Sequence, residues 1–217
     1  MKKVIPLLIA LVAILFLWIF LSEEEPITGE FYKAPLPEKF IKSSYYSDYD
    51  LESKFVIYVD FSKRRQKRRL WVVDKGEVIA TSYTAHGEKS ASFSPYSPPR
   101  RFSNRINSDQ SSLGIYLITT QFRMGTPEIH HCSCDNYVKK STCSHWPKAF
   151  QLIGKSGSNS NAKVRGILIH TGNYVSENGC TDNSDGCFTV SPEVFEILQK
   201  LPLLRLLRKK CYLVAIK

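Results

Sequence analysis

Along most of this chain hydrophobic residues come in short runs, each ended by a polar or glycine-bearing turn. Residues 55–61, 70–73, 78–84, 115–122, 150–154, 166–169 and 212–216 are rich in β-branched and aromatic residues, and each predicts a strand. Residues 62–69 are polar and read as a hairpin-type connection, and residues 74–77 read as a turn. Helical spacing occurs in one place beyond residue 54, where Val194, Ile197 and Leu198 follow Ser191-Pro192-Glu193. There Ser191 offers an N-cap hydroxyl and Pro192 suits the first helical position. No internal repeat is visible. The expected architecture is mainly β, an antiparallel sandwich or barrel with one short peripheral helix.

Two stretches fall outside this pattern. Residues 4–21 carry no charge, follow Lys2 and Lys3, and precede Glu23-Glu24-Glu25. As a helix the run would be roughly 27 Å long, close to a bilayer core. A cleaved signal peptide normally has a shorter apolar region and a small-x-small cleavage site. An uncleaved transmembrane anchor over residues 1–22 is therefore expected, with its lysines inside and the rest of the chain exported. Residues 23–53 mix charges with Pro26, Pro35 and Pro37 and hold no period of 2 or 3.6, so a tether is expected between anchor and domain.

Composition adjusts this picture in two ways. A hydrophobic fraction of 43% over 217 residues permits a core. The net charge of +10 points to anionic partners. No zinc-finger, helix-turn-helix or glycine-rich phosphate motif accompanies that charge, so nucleic acid is not expected. Six of the thirty Lys and Arg residues lie in the Lys63 to Arg69 run. That run reads either as a solvated hairpin tip or as a contact for anionic envelope polymer or lipid headgroups.

The candidate chemistry lies late in the chain. The apolar run from Gly166 ends in His170, and Cys187 follows in the turn Ser184-Asp185-Gly186-Cys187. A thiolate is the nucleophilic form of cysteine, and a histidine within hydrogen-bond reach generates it near neutral pH. Alone, the pair reads more often as a buried histidine and half of a disulfide than as a catalytic pair. Cys187 lies near, but not at, the start of the predicted helix, so little help from a helix dipole is expected.

Four stretches together resemble the L,D-transpeptidase catalytic domain (the YkuD-like fold), most closely its second subfamily. They are Arg69-Leu70-Trp71-Val72-Val73, Ala85-His86-Gly87, Phe102-Ser103-Asn104 with Ser111-Ser112-Leu113-Gly114, and His170 through Cys187. Arg165 also matches a family arginine. The resemblance implies a catalytic domain over residues 54–217, interrupted by an insertion at about 126–148. It implies attack on a peptidoglycan stem tetrapeptide, loss of the terminal D-alanine, and transfer of the thioester to an amine, giving a 3-3 cross-link. Cys187 would be the nucleophile and His170 the base. Backbone N–H groups of Gly186 and Cys187 would form an oxyanion hole, with Ser184 supporting the turn or the imidazole. Arg165, Ser103, Asn104, Ser112 and Gly172 would meet substrate. No cofactor is expected. The expected location is the extracytoplasmic (periplasmic) face of a bacterial inner membrane. An L,D-carboxypeptidase and an inactive envelope-binding relative are the alternatives. Thr171 stands where the subfamily has glycine, Asp185 where it has a basic or aromatic residue, and Thr189 where many members have arginine.

Residues 126–148 gather Cys132, Cys134, Cys143 and His145, which can supply four ligands to a tetrahedral zinc. Export favours disulfides instead. If Cys187 stays free, five of the six cysteines remain; Cys132 and Cys134 would seek Cys143, Cys180 or Cys211, and the expected bond to Cys180 would pin the insertion beside the site as a lid.

Overall fold

The computed structural model describes residues 33–91, 97–123, 148–172, 174–176, 179–180, 182–201 and 210–217. The expected anchor, the first part of the tether, and Cys132, Cys134, Cys143 and His145 of the insertion lie outside these residues. Among the described residues no helix is long and apolar enough to cross a membrane.

Eight strands make one sheet: β1 (Phe55–Asp60), β2 (Leu70–Asp74), β3 (Glu77–Ser82), β4 (Gly114–Arg123), β5 (Lys148–Gly154), β6 (Leu168–Thr171), β9 (Phe188–Val190) and β10 (Cys211–Ile216). A small separate hairpin pairs β7 (Val175–Ser176) with β8 (Gly179–Cys180). The order across the large sheet is β3-β2-β1-β10-β4-β5-β6-β9. Its two outermost strands approach each other through a bridge from Thr84 to Val190 and a 3.3 Å hydrogen bond from the Ala85 N–H to the Thr189 carbonyl. The sheet is therefore mainly β and nearly closed, which removes most of the exposed edge. It is not wholly antiparallel: β1 pairs with β10, and β6 with β9, in parallel.

The inner core follows from strand alternation. Phe55, Ile57 and Val59 of β1, Leu70 and Val72 of β2, and Cys211, Leu213 and Ala215 of β10 point into one cluster with Ile169 and Phe188. The helix Pro192–Lys200 adds Val194, Phe195, Ile197 and Leu198 to the same cluster, with Phe195 5.5 Å from the Phe150 ring. The helix expected at the periphery thus fills part of the interior on its apolar face. Its Ser191 hydroxyl makes no capping bond and instead accepts from the Ser82 hydroxyl at 3.1 Å.

The alternate residues of the same strands build a second core. Val56, Tyr58, Trp71, Val73, Tyr212 and Val214 pack against Phe40 and Leu51. Residues 33–53, part of the stretch expected as a tether, form the helical turns Glu38–Ile41, Ser44–Asp48 and Leu51–Ser53 on the outer face of the sheet. The reason is that β1, β2 and β10 are apolar on both faces, so the outer face must be covered. The Phe40 ring lies tilted 4.8 Å from Tyr58 and 5.8 Å from Trp71, and the Trp71 indole donates to the Pro35 carbonyl at 3.1 Å.

Phe40 is fully buried, so Phe40→Ala should cost about 3–5 kcal/mol of unfolding free energy in a denaturant titration. A segment that merely tethered the domain would show no change.

Candidate active site

The parallel pair of β6 and β9 sets Ile169 opposite Phe188 and His170 opposite Thr189. Ile169 and Phe188 are fully buried in the inner core. Alternation therefore turns His170 away from the core, and Cys187, the residue before β9, shares that side. The Cys187 thiol is partly exposed and lies 3.6 Å from the Gly166 carbonyl, at the entrance to β6. His170 Nδ1 lies 2.8 Å from the Thr171 carbonyl. A carbonyl only accepts, so Nδ1 carries the proton and Nε2 is left as the basic nitrogen. Thr171 thereby fixes the imidazole tautomer through its main chain.

Ser184 holds the turn that carries the thiol. Its hydroxyl donates to the Cys187 carbonyl at 2.7 Å and accepts the Gly186 N–H at 3.2 Å. Of the two N–H groups expected in an oxyanion hole, that of Gly186 is thus already engaged. Gly186 has φ of +115°, and a Cβ there would come within 2.8 Å of the Gln110 carbonyl oxygen. Only glycine fits this turn.

The residues expected to meet substrate mainly tie loops together. The Arg165 guanidinium donates to the Ser103 carbonyl at 2.7 Å, to the Ser112 and Ser108 hydroxyls at 3.1 Å each, and closely to the Gln110 carbonyl. The Asn104 side chain bonds to the Gly157 carbonyl, the Ser160 hydroxyl and the Asn161 N–H, while the Ser103 hydroxyl accepts the Arg105 N–H. Ser112 also accepts from the Tyr116 hydroxyl at 2.9 Å. Gly172 sits where a Cβ would meet Thr189 and Tyr174, whose hydroxyls are paired at 2.9 Å. The polar atoms of these groups are turned largely to one another.

Burial pushes the Cys187 thiol up to about 11; a hydrogen bond from the Leu168 backbone and the charge of Arg165 oppose the rise, and the exposed Asp185 carboxylate adds to it. Burial lowers the His170 pKa, against the Thr171 hydrogen bond and Asp185. Both effects favour uncharged forms, so the resting pair is a neutral thiol and a neutral imidazole at neutral pH.

Sequence reasoning missed the support behind the turn. In the basic run, Arg65 and Arg69 are buried rather than presented to solvent. Arg65 donates to Asn183 Oδ1 at 2.7 Å, and Arg69 reaches the carbonyls of Thr84 and Lys63 and His86 Nδ1. Arg64 and Lys67 remain exposed. His86 is fully buried, and burial beside Arg69 and Arg65 takes its pKa down to about 3. Nothing in the sequence separates an inward arginine from its five basic neighbours in the run. The expected bond from Cys180 to the insertion is absent: Cys180 is a buried thiol donating to the Asp182 carbonyl at 3.3 Å. It packs with Ala85 and Val175, which keeps it from the surface. No disulfide links the described cysteines.

A model of the L,D-transpeptidase catalytic domain family matches residues 34–204. No curated protein matches the sequence. Among solved structures, an L,D-transpeptidase from Xylanimonas cellulosilytica is 13% identical with a TM-score of 0.37, over 85% of this chain and 65% of that one. An Enterococcus faecium L,D-transpeptidase is 13% identical with a TM-score of 0.40, over 75% and 50%. Mycobacterium tuberculosis L,D-transpeptidase 1 is 13% identical with a TM-score of 0.37, over 76% and 62%. The chain thus spans between half and two thirds of the length of the proteins it is similar to.

Two outcomes follow from the electrostatics. Alkylation of Cys187 by iodoacetamide should accelerate by close to tenfold per pH unit from about pH 7 to 10, and Asp185→Asn should raise the rate at pH 7.5 by roughly 2–5-fold. Mass spectrometry of the labelled peptide reads both. For His86 the folded-state value of about 3 lies below the ordinary 6.5, so the unfolded chain takes up the proton first. Its contribution to stability is full above pH 6.5 and is lost as the pH falls toward 3. Melting temperature should drop across that window, and less so in His86→Asn.

Proposed function

Because this chain belongs to the L,D-transpeptidase catalytic domain family, we propose that it is a cysteine acyltransferase acting on peptidoglycan stem peptides. The observation that carries the reading is the parallel pairing of β6 with β9, which turns His170 and Cys187 out of the core on one side while the Thr171 carbonyl leaves His170 Nε2 basic. In this reading the Cys187 sulfur bonds to the carbonyl carbon of the third, diamino residue of a stem tetrapeptide. The thiol proton passes to His170 Nε2 as the sulfur attacks. The Cys187 N–H is the main-chain donor assigned to the developing oxyanion, since the Gly186 N–H serves Ser184. Breaking the C–N bond releases D-alanine, whose amine takes the proton from His170. An amine of a second stem then attacks the thioester, forms the new amide and returns the thiol.

A neutral resting thiol suits such a cycle, because the proton it gives up is the one the leaving amine needs. The membrane-anchored, extracytoplasmic location belongs to the same proposal and is supported by the apolar run at residues 4–21. Contact with anionic polymer, if made by the basic run, falls to the exposed Arg64 and Lys67.

Incubation with tetrapeptide stems, followed by mass spectrometry, tests this reading. The expected result is an adduct on Cys187, release of D-alanine and a cross-linked stem dimer, with all three lost in Cys187→Ala. A tripeptide without dimer means that water is the acceptor, making the chain a carboxypeptidase. No adduct and no release means that it does not catalyse acyl transfer on these stems.

A further inference from the structure

We propose that Arg69 and His86 are positioning residues for the Cys187 thiol, acting through residues 84–88, which attach to the chain on both sides of the cysteine. The proposal rests on the acyl-transfer reading above and concerns groups that reading does not use.

The geometry runs in three steps. First, Arg69 locks the 84–86 segment: Nε and Nη2 donate to the Thr84 carbonyl at 3.1 and 2.6 Å, Nη2 donates to His86 Nδ1 at 3.0 Å, and Nη1 reaches the Lys63 carbonyl at 3.0 Å. Second, that segment holds the turn before the cysteine. The Ser184 N–H donates to the His86 carbonyl at 2.9 Å and the Glu88 N–H to the Ser184 carbonyl at 2.7 Å. Third, it holds the strand after the cysteine, through the Thr84–Val190 bridge and the Ala85 N–H on the Thr189 carbonyl. Cys187 therefore lies between two attachments to one locked segment, and Ser184 passes the constraint on through its bonds to the Cys187 carbonyl and the Gly186 N–H.

A purely structural role explains these residues poorly. The fully buried guanidinium bonds to carbonyls and an imidazole, and to no carboxylate among the described residues. His86 accepts at Nδ1, so its proton is on Nε2, which has no hydrogen-bond partner among the described residues. Burying such groups is costly, and an apolar pair of similar volume often serves stability as well or better. What the polar pair adds is a directional hold on the main chain at 84 and 86, and placement errors of an ångström are known to matter for reacting groups.

The test compares His86→Leu, which removes the acceptor, with His86→Asn, whose Oδ1 can stand in for Nδ1. In the full chain, the pH profile of Cys187 alkylation and kcat and KM on tetrapeptide stems are measured beside circular dichroism and melting. His86→Leu should stay folded, shift the alkylation profile and lower kcat by about tenfold or more with little change in KM, whereas His86→Asn should recover to within about threefold. A wild-type profile and kcat in His86→Leu would overturn the proposal, as would an Asn variant no better than Leu. Should His86→Leu fail to fold, Arg69→Lys, which keeps the charge but loses the multiple contacts, decides instead: unchanged alkylation in that variant rejects the positioning role. Alkylation needs no stem, so a wild-type protein inactive on stems would refute the acyl-transfer reading while leaving the positioning of the thiol measurable.

Discussion

A guanidinium taken out of water must find acceptors for its donors, and Arg69 finds them in the main chain at Lys63 and Thr84 and in the His86 ring. Those acceptors belong to the connection after β1 and to the segment after β3, so one side chain ties the hairpin to the line where the sheet nearly closes. The same line carries Thr84 against Val190 and Ser184 against Gly87. Loosening it would separate β9 from the end of β3, and Cys187 enters β9. Desolvation alone would cost several kcal/mol, which explains both the fall of the Arg69 pKa to about 9 and the density of bonds around it.

From that frame the chemistry follows with few parts. Parallel pairing gives His170 and Cys187 a common side, the Thr171 carbonyl chooses the tautomer, and burial keeps both groups uncharged at rest. Asp185 works against the thiolate while favouring an imidazolium, because one negative charge acts on both groups. Arg165 leans the other way on the sulfur, yet its donors are committed to the loops around it. The site is thus tuned by position more than by any one neighbouring charge.

Much of this was legible in the residues. Seven of the strands announce themselves through β-branched and aromatic runs, and His170 with the Ser184–Cys187 turn marks the candidate site. Strands of two or three residues, such as Phe188–Val190, are too short to show a period. The outer cover at 33–53 is not legible as such because its tyrosines and prolines hold no helical repeat, although the two-faced apolar character of residues 55–59 demands a cover. Ser103, Asn104, Ser112 and Arg165 stand out in the sequence, but hydroxyls, amides and guanidinium groups look alike there whether they face a ligand or, as many of their polar atoms do here, each other. Arg69 and His86 were hidden for a related reason, since burial of a polar residue is decided by contacts distant in the chain.

The position of β10 has a consequence for how the molecule is made. It lies between β1 and β4, with Tyr212 paired to Val56, a residue 156 positions earlier in the chain (212 − 56). While the nascent chain is still short of residue 211, β1 and β4 each lack the strand that pairs between them. Closure of so long a loop is entropically expensive and kinetically slow. Until then the growing polypeptide exposes two apolar strand edges, so folding of this sheet waits on the synthesis of β10.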